Sequence, residues 1–254
     1  MVSIDLSGKL AVITGASGEL GRVMARTLAA AGADIAVHYH HGEDRAENLV
    51  KELRKINVKV NTFSADIGDL PSVLRMKQEI LDVMGEPDIV VDAAVVQYHP
   101  WASVLEQPTE DYESQFRSCI LHNVNMAKAF IPAMKEKKWG RFIGINTECA
   151  MQCYPGQSAY AAAKRGMDGV LRVLAKEVGA YGITVNQVAP GWTISDNWRQ
   201  EPGDDSDYAS RVPLKRRGTD QEIANAVLFL ASDLASFITG VYLPVCGGNE
   251  MPCI

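Results

Sequence analysis

Short apolar runs alternate with helix-length amphipathic stretches from one end of this 254-residue chain to the other, and few architectures accept that rhythm. Lys9–Thr14 reads as a buried strand, and the stretch from about Gly21 to Ala31 as the helix that follows it. Ile35–Tyr39 is a second strand, Asp44–Ile56 a charged helix, Val60–Ser64 a third strand and Asp69–Met84 its helix. Asp88–Ala94, Asp111–Lys137, Arg141–Asn146, Tyr160–Ala180, Thr184–Val188, Gln221–Ala231 and Val241–Val245 continue the alternation. Parallel strands joined by right-handed crossovers place their helices on both faces of one sheet. The expectation is an α/β chain, a doubly wound parallel sheet with helices on both faces. No linker, repeat or low-complexity segment interrupts residues 1–254, so one domain is expected. The long irregular stretch Trp192–Arg211, with Glu201-Pro202-Gly203-Asp204-Asp205, has the pattern of a lid.

Composition excludes several classes. A hydrophobic content of 47% supports a sizeable core, and a net charge of −6 argues against a nucleic-acid surface. The densest basic run, Lys215-Arg216-Arg217, is too short to outweigh that balance. No apolar stretch is long enough for a bilayer, and Met1–Leu6 lacks the basic-then-apolar pattern of a leader, so a cytoplasmic location is expected. Five scattered cysteines (Cys119, Cys149, Cys153, Cys246, Cys253) do not read as a disulfide framework. His38, His40 and His41 are bunched, but alternate strand residues face opposite sides, and no metal is expected.

Thr14-Gly15-Ala16-Ser17-Gly18-Glu19-Leu20-Gly21 joins the first strand to the first helix. Glycines there allow a tight turn and close approach of a pyrophosphate to a helix N-terminus. This placement makes the sheet a Rossmann-type dinucleotide site, with Gly15, Ser17, Gly18, Glu19 and Leu20 as candidate contacts. The second strand ends Val37-His38-Tyr39-His40-His41, with no acid to bind a ribose 2′-hydroxyl. Tyr39, His40 and His41, with Arg45 nearby, are candidates to meet a 2′-phosphate, so NADP is favoured and NAD is the alternative. The competing reading is that these side chains merely cover the strand end.

Tyr160 and Lys164, in Ser158-Ala159-Tyr160-Ala161-Ala162-Ala163-Lys164, stand four apart and share one helix face. A free phenol ionises near pH ~10, too high for proton exchange at neutrality. A fixed positive charge beside it lowers that value and makes it a usable acid or base. On its own the spacing also fits a helix carrying one aromatic and one solvated lysine.

With the glycine turn upstream, the chain resembles a short-chain dehydrogenase/reductase of the short single-domain type over essentially its whole length. Ser64-Ala65-Asp66-Ile67, Gly140-Arg141-Phe142-Ile143, Pro155-Gly156-Gln157, Tyr181-Gly182-Ile183-Thr184-Val185-Asn186, Val188-Ala189-Pro190-Gly191 and Phe237-Ile238-Thr239-Gly240 carry the resemblance. It implies that Asp66 and Ile67 hold the adenine and that Ala93 and Ala94 pass beside its ribose. Tyr160 and Lys164 would contact the nicotinamide ribose, and Pro190, Gly191 and Thr193 would flank the nicotinamide. Tyr160 would exchange the proton on a carbonyl oxygen while hydride moves at its carbon, with Lys164 orienting the ribose and keeping the phenol acidic. The family's serine falls at Thr147, thirteen residues before Tyr160. Family members commonly pair the Asp111–Lys137 and Tyr160–Ala180 helices across a two-fold axis, which implies a homodimer or homotetramer.

The chain departs from that pattern at several positions. Cys119 stands where the family places an asparagine that anchors a relay water, and a thiol cannot reproduce an amide. Asp92-Ala93-Ala94-Val95 replaces Asn-Asn-Ala-Gly, and Cys246 replaces the aspartate of a C-terminal Asp-Gly-Gly. Glu19 breaks the usual glycine spacing and is expected to point out from the first helical turn. The substrate pocket is expected from Val95–Trp101, Glu148–Tyr154 and the lid, with Gln97, His99, Glu148, Gln152 and Trp192 suited to a small polar substrate such as a sugar or polyol. The leading expectation is an NADP-preferring carbonyl reductase or alcohol dehydrogenase. An NAD-linked sugar or polyol dehydrogenase is the second, and a dinucleotide-binding sensor with little turnover the third.

Overall fold

Strand β1 (Leu10–Thr14) is buried at every position, as a strand covered on both faces requires. The computed structural model describes residues 3–96 and 100–252, so Gln97, His99 and Cys253 of the sequence reading lie outside the described residues. After β1 come α1 (Glu19–Ala30), β2 (Asp34–Tyr39), α2 (Glu43–Leu53), β3 (Val60–Ser64), α3 (Leu70–Val83) and β4 (Ile89–Asp92). Helix α4 (Thr109–Gln115) leads through a π-helical turn, Phe116–Leu121, into α5 (His122–Lys137). Then follow β5 (Gly140–Ile145), α6 (Cys149–Gln152), α7 (Ser158–Val178) and β6 (Ile183–Pro190). The last third holds β7 (Thr193–Ile194), α8 (Asp196–Gln200), α9 (Ser206–Arg211), β8 (Gly218–Thr219), α10 (Asp220–Ala231) and β9 (Tyr242–Val245).

Seven strands form one parallel sheet in the order β3-β2-β1-β4-β5-β6-β9. The order reverses at β1, which puts a crevice at the carboxyl ends of β1 and β4. Alternation sends Ile13, Ile35, Val91 and Ile143 to one face, against Met24 and Leu28 of α1 and Val227 and Leu230 of α10. Val12, Ala36, Val90 and Phe142 go to the other, against Met126 and Phe130 of α5 and Met167 of α7. Each large side chain buried this way contributes about 1.5–3 kcal/mol.

Three elements differ from expectation. The 111–137 helix is interrupted by the π turn, where Asn123 Nδ2 donates to the Cys119 carbonyl at 2.7 Å. Apolar periodicity is blind to a one-residue slip of this kind. Strand β4 stops at Asp92 because the Ala93 and Ala94 amides turn away to the Thr14 hydroxyl, at 2.9 and 3.2 Å. The lid stretch is folded, holding β7, α8 and α9.

His38 ties the first crossover to the sheet. The Gly15 amide donates to its Nδ1 at 3.0 Å, so Nε2 carries the proton and donates to the Ala65 carbonyl at 3.0 Å. Burial lowers its pKa from 6.5 to about 4, keeping the ring neutral. The unfolded chain therefore binds a proton that the folded chain refuses between those values, and stability falls as pH drops through that window. The shift corresponds to about 3 kcal/mol at most. A His38→Gln variant is expected to show a flatter dependence of urea midpoint on pH between 6.5 and 4. Equal slopes for variant and parent would remove His38 as the source.

Candidate active site

The turn after β1 is shaped by backbone contact. Gly15 has φ +64°, and a Cβ there would sit 2.9 Å from Ala94 Cα; one on Gly21 would sit 2.2 Å from the Gly15 carbonyl oxygen. The sequence Gly15–Gly21 therefore packs helix and strand as closely as a dinucleotide-binding turn requires. Above it opens a cavity of ≈ 740 Å³, within the range of small-molecule sites. Gly15, Ser17, Gly18, Glu19 and Leu20 line it together with Asp66 and Ile67. Asp66 is fixed by accepting the Gly68 amide at 2.8 Å, and the Ile67 carbonyl accepts Asn125 Nδ2 at 3.0 Å. Ala93 and Ala94 form the floor between them.

At the end of β2, His40 and His41 reach this cavity with their rings 3.9 Å apart. Tyr39 does not line it: its hydroxyl donates to Glu43 Oε1 at 3.0 Å. That is a correction to the sequence reading, and it has a physical consequence, since it engages the first carboxylate after β2. Arg117, from the π turn, joins the lining, and no periodic pattern marks it in the sequence. The groups present at this end are donors and cations, suited to a phosphate.

A second cavity, ≈ 270 Å³, shares Leu20, Ala93 and Val95 with the first. It brings together Thr147, Tyr160, Lys164, Pro190, Gly191 and Thr193, residues from three segments of the chain. Thr147 follows β5 and is fixed from both sides. Its amide donates to Asn146 Oδ1 at 2.9 Å, its Oγ1 accepts the Cys149 amide at 3.2 Å, and its carbonyl accepts the Tyr242 hydroxyl. The Tyr160 phenol is hydrogen-bonded to the Thr147 side chain, so two hydroxyls meet at one point of the cavity wall. Asn146, which sequence reasoning did not single out, donates to the Lys164 carbonyl at 3.0 Å and to Gln187 Oε1 at 2.7 Å, locking α7 to the sheet.

Lys164 is buried and lines the smaller cavity together with Tyr160. Its Nζ donates to the Ile145 carbonyl at 2.6 Å and lies 5.8 Å from the Tyr160 ring centroid. Burial pushes the Tyr160 phenol well above its ordinary value, with the nearby Cys119 and Cys149 thiols acting in the same direction and the Thr147 bond opposing them. Burial thus favours the protonated phenol. Cys119 is buried and lines neither cavity; its Sγ lies 3.9 Å from Gln115 Oε1.

Two carboxylates of the scaffold, Glu19 and Glu148, hold the lid stretch. Glu148, expected in the substrate pocket, is 1% exposed and instead accepts the Tyr208 hydroxyl of α9 at 3.0 Å and Asn249 Nδ2 at 3.0 Å. The Trp192 amide donates to the same Tyr208 oxygen at 2.8 Å, and the two rings stack 4.9 Å apart. Glu19, at the edge of the larger cavity, accepts the Asn197 amide of α8 at 3.1 Å, while Arg22 bridges Glu19 and Asp196 at 2.9 and 2.7 Å. Its charge is thereby compensated beside the glycine turn. Among the described residues no group of three or more His, Cys, Asp or Glu could hold a metal ion.

Residues 15–250 match a family model described as enoyl-(acyl carrier protein) reductase. The 3-oxoacyl-(acyl-carrier-protein) reductase FabG of Staphylococcus epidermidis is 33% identical over 244 residues, covering 96% of this chain and 99% of that one. The protein of the same name from Escherichia coli K12 is 35% identical over 250 residues, 98% and 100% of the two chains. A crystal structure of a gluconate 5-dehydrogenase from Burkholderia cenocepacia J2315, in complex with NADP and tartrate, superposes with a TM-score of 0.89 at 28% identity, covering 96% of each chain. The glycine turn, the paired cavities and these full-length likenesses place the chain in the short-chain dehydrogenase/reductase family of NAD(P)-dependent oxidoreductases.

Proposed function

We propose that this chain is an NADP-preferring carbonyl reductase or alcohol dehydrogenase in which Tyr160 exchanges the proton on the substrate oxygen. The observation that carries the reading is the meeting of the Tyr160 and Thr147 hydroxyls in the smaller cavity, contiguous with the larger one. The two cavities fit a dinucleotide laid from Asp66 across the glycine turn to Pro190–Gly191. When bound, the nicotinamide supplies or accepts the hydride. The chain's own residues handle the proton. Thr147 donates to the carbonyl oxygen and fixes its position, and Tyr160 delivers the proton as the oxygen gains charge. Lys164, held by the Ile145 carbonyl, orients the ribose beside Tyr160. Cys119 takes no direct part, being outside both cavities.

The donors His40, His41 and Arg117 support NADP over NAD, as does the NADP bound by the gluconate 5-dehydrogenase neighbour. A small polar substrate, a hydroxy acid or sugar derivative among them, is supported by the tartrate in that neighbour. Intact Tyr160, Thr147 and Lys164 weigh against a sensor without turnover. One domain carries both sites. The faces of α4, the π turn and α7, with Phe116 and Val173 exposed, are the proposed two-fold interface of a homodimer or homotetramer. No helix of the described residues is long and apolar enough to cross a membrane, and the cytoplasm is the proposed location.

Titration of protein fluorescence is expected to give NADPH binding at least about tenfold tighter than NADH; the reverse order would overturn the cofactor assignment. Screening ketones, ketoacids and aldoses for NADPH oxidation should find turnover. Tyr160→Phe should then cut it by about two to four orders of magnitude without changing NADPH affinity. Thr147→Ala should cost about two to three orders in kcat, and Thr147→Ser should retain most of it. Full activity in Tyr160→Phe would sink the proton-donor role.

A further inference from the structure

Asp92 and His122 form a buried pair that the reaction as described above does not use. Asp92 ends β4 on the same face as Val90, the face covered by α5 and α7. Its carboxylate Oδ1 lies 3.3 Å from Nε2 of His122, the first residue of α5, and the two side chains are 0% and 1% exposed. The other ring nitrogen of His122, Nδ1, is 3.2 Å from the Ser118 carbonyl. A carbonyl only accepts, so Nδ1 carries a hydrogen. In a neutral ring Nε2 is then a bare lone pair 3.3 Å from a carboxyl group, and neither Nε2 nor the Asp92 oxygens have another hydrogen-bond partner, an arrangement that one proton between them would relieve. Either the carboxylic acid donates to the ring or the imidazolium donates to the carboxylate. One proton then serves both groups, and the pair is neutral in either form.

The register of the sheet brings this pair to Lys164. Asp92 is the partner of Gly144 in β5, and the next residue, Ile145, supplies the carbonyl that holds Lys164 Nζ at 2.6 Å. Gly144 places no side chain in between; a Cβ there would sit 2.4 Å from Met167 Cε and 3.3 Å from Asn123 Oδ1. Met167 Sδ is itself 3.8 Å from Lys164 Nζ. Burial raises the Asp92 pKa, while His122 and the Lys164 ammonium oppose it. The other titratable groups turned toward the pair are His38 of β2, which feels the charge of His122, and Cys119, three residues before His122 in the π turn.

We propose that Asp92 and His122 are a positioning pair for the acid/base site, holding one shared proton behind the Ile145 carbonyl and so setting the charge that Lys164 faces. With the proton in place the pair is neutral. Its loss leaves a carboxylate across from the Lys164 ammonium and strengthens the hold on it.

The proposal rests on the acid/base reading of Tyr160, and its tests fail separately from that reading. In Asp92→Asn the amide keeps the shape and donates to Nε2, but the shared proton is gone. Its kcat–pH profile for alcohol oxidation should lack one ionisation that the parent shows, with KM for NADP within about threefold. Superimposable profiles would overturn the proposal, and so would a kcat loss that only tracks the folded fraction. Ring-15N spectra of the parent test it without turnover, and remain decisive if the variant fails to fold. His122 should keep Nδ1 protonated throughout, and Lys164→Met should move the titration seen at Nε2 upward by about half a unit or more. A His122 signal indifferent to Lys164 would contradict the coupling.

Discussion

Burial of a parallel sheet on both faces is the constraint from which the rest of this structure follows. Such strands tolerate few polar side chains along their length, so polar groups collect at their carboxyl ends. On the face covered by α5 and α7 the register aligns His38, Thr14, Asp92, Gly144 and Gln187 in one row across five strands. Each polar member of that row holds something in place. His38 and Thr14 fix the turns around the larger cavity, Gln187 receives Asn146, and Asp92 meets His122. Lys164 reaches into the same layer to bond the Ile145 carbonyl. The chemistry proposed for the smaller cavity thus stands on sheet geometry and not on loop contacts.

Charge compensation explains how two acids can sit beside a site for a polyanion. Glu19, at the first turn of α1, is satisfied by Arg22 and the Asn197 amide, so the lid is docked by the residue that departs from the usual glycine spacing. Glu148 is satisfied by Tyr208 and Asn249, and burial raises its pKa. Both carboxylates fasten mobile-looking sequence to the scaffold. Arg217, stacked 3.6 Å over Trp198 and paired with Asp205 at 3.1 Å, completes the folded lid.

Much of this was legible in the sequence. Strands as apolar as β1 and helices as periodic as α7 announce themselves, and the glycine turn between β1 and α1 marked the dinucleotide cavity. The family resemblance pointed to Thr147 as the partner of Tyr160, and the two residues line one cavity. Side-chain partners brought in from other elements were less legible. Helix spacing shows that Lys164 shares a face with Tyr160, and only the fold shows that its ammonium donates to a carbonyl of β5. Tyr39 was assigned to the cofactor because it ends a strand, yet Glu43 captures it. Glu148 looked like a pocket residue until the lid folded over it. Asp92 and His122 are thirty residues apart, and only the crossover brings them within 3.3 Å.

The most direct measurement is a crystal structure of the chain with NADP and an inert hydroxy acid or alcohol. One ligand oxygen is expected within about 3 Å of both Tyr160 Oη and Thr147 Oγ1. The carbon bearing it should face the nicotinamide between Tyr160 and Gly191. A ligand seated in the smaller cavity with its oxygens directed elsewhere, or Tyr160 turned out of it, would contradict the assignment of proton transfer to this tyrosine.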